Sequence, residues 1–185
     1  MLNTSHIPCA NSLLLSSTDR QCLEYFSSSN LVAWTGKPWK WSCLAYIYHI
    51  LAPRNAAIMY MIIALSAGEL QNLGHSYLRP ASHHAARNYG NALKELNLLL
   101  DQDVKPDLDS SLTCLFLMAH YELKLGYSNQ HLTVHLKGVE ALLESGNYIS
   151  ALGGNKSLPS DENEMAEAEI QPFSSLSALL LVWIL

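Results

Sequence analysis

The longest uninterrupted apolar stretch in the chain lies within Asn55 to Leu70, NAAIMYMIIALSAGEL. From Ala56 to Leu65 it carries no charge and only one strong hydrogen-bonding side chain, that of Tyr60. Wound as a helix, it has no face that prefers water, and such a helix is buried all round. It falls well short of the roughly 18–20 apolar residues that a bilayer crossing needs, so the pattern predicts the central helix of a helical domain. Around it the spacing changes to one-sided stripes. Ala85, Tyr89, Ala92, Leu93, Leu96, Leu99 and Leu100 recur at helical spacing, with Arg87, Asn91, Lys94, Glu95 and Asn97 mostly off the stripe. Leu112, Leu115, Phe116, Ala119 and Leu123 mark another helix, with Asp109, Ser110 or Ser111 as candidate caps. Leu117, Met118 and Tyr121 make it a second buried element. Leu132, Leu136, Val139, Leu142 and Leu143 stripe a further helix.

Punctuation separates these runs. Ser16 to Asp19 supplies N-cap residues ahead of Cys22, Leu23, Tyr25 and Phe26. Pro53 suits the first turn of the central helix and Gly74 its end, Pro80 opens the next helix, and Gly126 and Gly146 close later ones. Gly36 and Pro38 interrupt LVAWTGKPWKWS, where Trp34, Trp39 and Trp41 are expected to crowd against the central helix and against the helix bearing Leu44, Ile47, Ile50 and Leu51. No stretch alternates as a half-buried strand does. The expected fold is all-α: a single globular multi-helix bundle of antiparallel hairpins around a buried central helix.

The expected organisation is a disordered tail over 1–15, a helical domain over 16–150, an acidic loop over 151–171 and an apolar helix over 172–185. That last helix is only about half a bilayer crossing. Its apolar end at Leu185 suggests truncation, because such a surface would be left in water. A chain of 185 residues, 49% hydrophobic, suits one domain. Its formal net charge of −5, with Lys and Arg scattered singly, offers no basic stripe for phosphates and no polybasic patch for a membrane. Cys9, Cys22, Cys43 and Cys114 are widely spaced, as suits reduced thiols packed as small hydrophobes in an intracellular protein. The Leu13–Leu15 run has neither the basic flank nor the length of a secretory signal.

Candidate chemistry is sparse. His131 and His135 share one helix face at a spacing that can hold zinc, with His120 or Glu122 as conceivable further ligands. No acid stands where a zinc protease motif needs one, and the favoured reading of His135 is a core histidine bonded to a carbonyl. His83 and His84 are read as solvated and without a role. Glu122, inside an apolar helix, must face out or be paired, and the outward reading, beside Lys124, is preferred. Gly138 in a helix interior implies close approach of a neighbouring backbone. There is no GxSxG, no phosphate-cradling loop and no CxxC, so no enzyme is expected.

In order along the chain stand LEYF, VAWTGKPWKW, IIALSAGEL, ASHHAARNYGNALKELNLLL, LTCLFLMAHYELKLG and HLTVHLKGVEALLESG. This series, spanning about 19–146, resembles the fungal-specific transcription factor domain, the all-helical regulatory region of zinc binuclear-cluster transcription factors. The resemblance implies a nuclear regulator of transcription that acts through protein contacts or self-association, without catalysis. The positions that match the family as structural markers are Trp34, Trp41, Tyr89, Tyr121, Glu122, His135 and Gly138. The family's six-cysteine DNA-binding cluster has no counterpart in these residues, so its zinc ions and DNA contacts are not carried over: no cofactor is expected in this chain, and DNA is expected to be reached only through that missing module. Two other readings are open. One is a tetratricopeptide-like scaffold, although no clean period of about 34 residues is present. The other is a small-molecule sensor with its pocket among Trp34, Trp39, Trp41 and the central helix.

Overall fold

The computed structural model of the protein describes residues 14–73, 83–101, 107–125, 129–145 and 174–184, and they are helical throughout apart from turns and connections. Helix α1 spans Ser17–Phe26 and α2 Asn30–Trp34. A short turn, Trp39–Trp41, leads to α3, Cys43–Tyr46, which continues as a wide π-type turn over Ile47–Leu51 and a tight turn over Ala52–Arg54. The central helix, α4, is Ala56–Asn72. Then come α5, His84–Leu100; α6, Leu108–Leu125; α7, Asn129–Ser145; and α8, Ser175–Ile184. The expected tail, the acidic stretch 151–171, Cys9, Gly74, Pro80, Gly126 and Gly146 lie outside the described residues.

The apolar run forms the helix predicted for it. Asn55 caps α4, its side chain accepting from the Ile58 N–H at 3.3 Å. Pro53 belongs instead to the tight turn before that cap, where its missing N–H costs no helical bond. Ile58, Met61, Ile62, Ile63 and Leu65 are wholly or almost wholly buried, each contributing roughly 2 kcal/mol by leaving water. Cover comes from α1, α5, α6 and the turns before α4. These elements are remote from one another in sequence, unlike a solenoid, in which each repeat touches only its neighbours.

Helix α6 is the second buried helix: every residue from Ser110 to His120 is buried. Its capping residue is Asp107, two residues before the first of the expected caps, its carbonyl accepting from Ser111 N–H and its carboxylate from the Ser110 hydroxyl. Leu123, placed on the main stripe by periodicity, is 64% exposed, because the last turn of α6 emerges at the rim of a cleft. Helix α8 packs against α6 through buried Leu180 and Leu181. Hydroxyls of Ser174 and Ser177 donate to Asp109, while Ser174 caps α8 by accepting from Ser177 N–H.

The tryptophans do not crowd together. Gly36, at φ 63°, takes a left-handed turn that side chains other than glycine's resist, and Pro38 redirects the chain after it. Only Trp39 turns inward, edge-on to Phe26 and Tyr48 at 6.0 and 5.6 Å, while Phe26 and Tyr48 stack on each other. Trp34 and Trp41 are 56% and 71% exposed, and Trp41 carries the Lys40 ammonium over its ring.

Candidate functional site

Three groups of buried polar side chains join helices to one another. The first joins α1 to α5. Ser16 and Asp19 make a reciprocal capping box, with Asp19 N–H donating to Ser16 Oγ and Ser16 N–H to Asp19 Oδ2. The free carboxylate oxygen then meets His84 Nε2 at 2.8 Å. Burial alone would raise the Asp19 carboxyl, but the hydrogen bonds from Ser16 and the nearby His84 hold it below its ordinary value. The expectation that His84 is solvated is therefore corrected: it is buried, and only His83 is exposed. An N-terminal first turn can be a burial site when another helix end packs over it, and periodicity does not reveal that.

The second group belongs to α4. Glu69 is buried on a helix with no polar face, and it is satisfied by the Tyr25 hydroxyl at 3.2 Å and by the Asn30 N–H at 2.8 Å. Its carboxylate thus supplies an acceptor for one of the unpaired donors at the start of α2. Burial and this carboxylate push the Tyr25 phenol up to about 12.

The third group gathers four of the marker residues. Tyr89 of α5 stacks on Tyr121 of α6 with centroids 4.7 Å apart, and its hydroxyl lies 2.6 Å from His135 Nε2 on α7. Glu122 is 7% exposed, facing His131 Nδ1 at 3.5 Å, so it is inward and paired rather than outward beside Lys124. The reason is the crossing of α5 and α7 over the last turns of α6, which supplies polar partners on a face that reads as solvated. Burial, followed by the carboxylate of Glu122, pushes the Tyr89 phenol far up. Burial also lowers His135, partly offset by Glu122. His135 is a core histidine, but its partner is a tyrosine hydroxyl in place of a carbonyl. His131 points outward, and among the described residues no three His, Cys, Asp or Glu side chains gather closely enough to hold a metal ion.

The remaining markers stand apart. Gly138 does not meet a neighbouring backbone: a methyl group there would touch only Leu115 Cδ2 at 3.6 Å, an ordinary contact. The close approach occurs instead at Gly68 of α4, where a Cβ would collide with Leu125 Cδ1. Trp41 lies on the surface. Trp34 lies beside His120 at 6.1 Å and Trp183 at 5.7 Å, forming one wall of a cleft among α2, α6, α7 and α8. Of the three tryptophans considered for a pocket, Trp34 lines this cleft, together with Trp183.

None of these groups is a nucleophile with a base. Cys22 and Cys114 are free and buried, and burial pushes the Cys22 thiol up to about 12 and Cys114 higher still. Cys43, half-buried, is also raised. No helix among the described residues is long and apolar enough to cross a membrane.

Comparison with known proteins adds one finding. The sequence profile of the fungal specific transcription factor domain matches residues 24–180, from α1 to α8. No curated protein and no solved structure matches the chain. An all-helical bundle whose match runs through the central helix and every helix around it belongs to that family: the chain is a member of the fungal specific transcription factor domain family.

Proposed function

We propose that this chain is a regulatory, non-catalytic domain that acts in the nucleus and controls transcription through contacts with other proteins or with a second copy of itself. The observation that carries the reading is the family match across residues 24–180, which takes in most of the apolar core. The composition agrees with it: a net charge of −5 gives the chain no electrostatic means of holding DNA, so the contact with the gene belongs to another module or partner. The three buried polar groups described above agree as well, their side chains being engaged with one another across helices.

The test is to fuse the full chain to a heterologous DNA-binding domain and measure a reporter carrying that domain's site in fungal nuclei. The fusion is expected to change reporter output relative to the DNA-binding domain alone. The effect should vanish in Ile62→Asp, which places a charge in the centre of α4. A folded, nuclear fusion whose output equals that of the DNA-binding domain alone would overturn the proposal.

A further inference from the structure

Helix α8 has two apolar faces and a neighbour for one of them. Over Ser175–Ile184, SLSALLLVWI, no residue is charged. Ser177, Leu180 and Leu181 recur at i, i+3 and i+4 and are buried, with α6 as their main neighbour. Ser175, Ala178, Leu179 and Val182 recur at i, i+3, i+4 and i+7 on the opposite side and are exposed, Val182 to 76%. A helix that is apolar on all sides is one that other structure covers on all sides. The spacing of the open stripe is that of a seam on which helices pair.

The surface around that stripe continues it. Leu179 shares one hollow with Cys43 and Tyr46, while Trp183, on the other flank of α8, lines the cleft with Trp34, Leu123 and Leu136. Thirteen large apolar side chains are exposed among the described residues, and six of them, Tyr46, Leu179, Val182, Trp34, Leu136 and Leu123, lie along α8 or in these two hollows. Together the six leave roughly 600 Å² in water, near the upper limit for the largest apolar patch of a monomer and most of the roughly 800 Å² that each partner gives to a stable interface.

Shape and charge choose the occupant. A two-fold dimer sets one patch against itself, so a patch that carries a ridge must also carry the groove that receives it. This one does: the ridge of Leu179 and Val182 runs beside a cleft of about 330 Å³ walled by Trp34 and Leu136. Charge does not oppose self-pairing, since α8 has none, Asp109 is engaged by Ser174 and Ser177, and Lys124 is exposed in the lining of the cleft. We propose that a second copy of this chain covers α8, with the Leu179 and Val182 ridge of each copy seated in the Trp34 and Leu136 cleft of the other. The inference rests on the protein-contact reading above and deepens it by naming the partner and the surface.

The test is sedimentation equilibrium of the purified full chain from about 1 to about 100 µM. Expected is a mass that rises from one chain to two, with a dissociation constant in the micromolar range or below. Val182→Lys should weaken the dimer by about tenfold or more, because it brings an ammonium against apolar walls and against Lys124 of the other copy. Val182→Glu should weaken it less, since its carboxylate meets that same Lys124. Leu98→Glu, on α5 and 59% exposed, should leave association unchanged. Val182 and Leu98 both face water, so circular dichroism should find all three variants folded. A chain that stays monomeric throughout, a dimer that Leu98→Glu weakens as much as Val182→Lys does, or equal losses in the two Val182 variants would overturn the inference. A monomeric chain whose fusion still changes reporter output would leave the proposed function standing, so the two readings fail separately.

Discussion

Replacing His120 with Phe should remove a definite share of the protein's acid sensitivity. His120 is enclosed by Trp34, Phe116 and Lys124, and no acid contributes to its shift from about 6.5 to about 4. The sign follows from linkage. The unfolded chain takes up a proton at this imidazole as pH falls through about 6.5, whereas the folded chain resists until about 4, so the unfolded state binds more protons throughout that window and stability drops as pH falls. Integrated between about pH 7.5 and about pH 5, this single group removes about 2 kcal/mol, a sizeable part of the 5–15 kcal/mol typical of a folded domain. His135, lowered in the same direction, adds to the fall. Asp19, depressed below its ordinary value of 3.8, acts only at more acid pH.

The measurement is urea unfolding, followed by far-ultraviolet circular dichroism across that pH range. His120→Phe should match or exceed the parent near neutrality, because it deletes a buried nitrogen without a partner and the adjoining cleft can accommodate the slightly larger ring. Toward about pH 5 the gap in stability should widen in favour of the variant by about 2 kcal/mol, with an unchanged dependence on urea. Parallel pH profiles for the two proteins would refute the assignment of a neutral, proton-resisting His120.

Two further substitutions test the helix contacts. Gly138→Ala should stabilise by about 0.5–1 kcal/mol, since the new methyl meets only Leu115 at 3.6 Å while helix propensity improves; a thermal melt displaced downward would show a hidden backbone contact. Asp19→Ala should cost about 2–4 kcal/mol by chemical denaturation, because it removes the carboxylate half of the Ser16 capping box and strands His84, whereas Asp19→Asn should recover part of that by keeping an oxygen for the cap. Equal losses in the two variants would mean that the cap contributes nothing.

The central helix was legible because its pattern has a single physical solution: ten residues without a polar face can only be buried. The same reasoning located α5, α6 and α7, whose apolar stripes recur at helical spacing. It failed where a side chain's surroundings depend on an element distant in sequence. Glu122 reads as outward because Lys124 follows two residues later, yet α5 and α7 cross at that turn and take it in. His84 looks solvated in a first turn until α1 brings Asp19 to it from 65 positions earlier. The three tryptophans look like one cluster because they lie close in sequence, but the positive-φ turn at Gly36 and the redirection at Pro38 send them to different places. Glu69 was the signal passed over: a carboxylate on a helix buried all round needs donors from elsewhere, and it finds them on α1 and α2.

Those long-range polar pairs settle which bundle forms. Apolar faces such as those of α4 and α6 are permissive, since a helix that slides or rotates by one turn still finds hydrophobic neighbours. Asp19 with His84 fixes α1 against α5; Glu69 with Tyr25 and Asn30 fixes α4 against α1 and α2; Tyr89 with His135 fixes α5 against α7; and Glu122 with His131 fixes α6 against α7. Any register that separates one of these pairs leaves a polar or charged group buried without a partner, at a cost of about 1–3 kcal/mol or more for each group. Burial of α4 therefore drives collapse while the polar pairs select among collapsed arrangements. His120 is the exception: of the buried histidines among the described residues it is the one that joins no helix pair, its enclosed Nε2 having no hydrogen-bond partner.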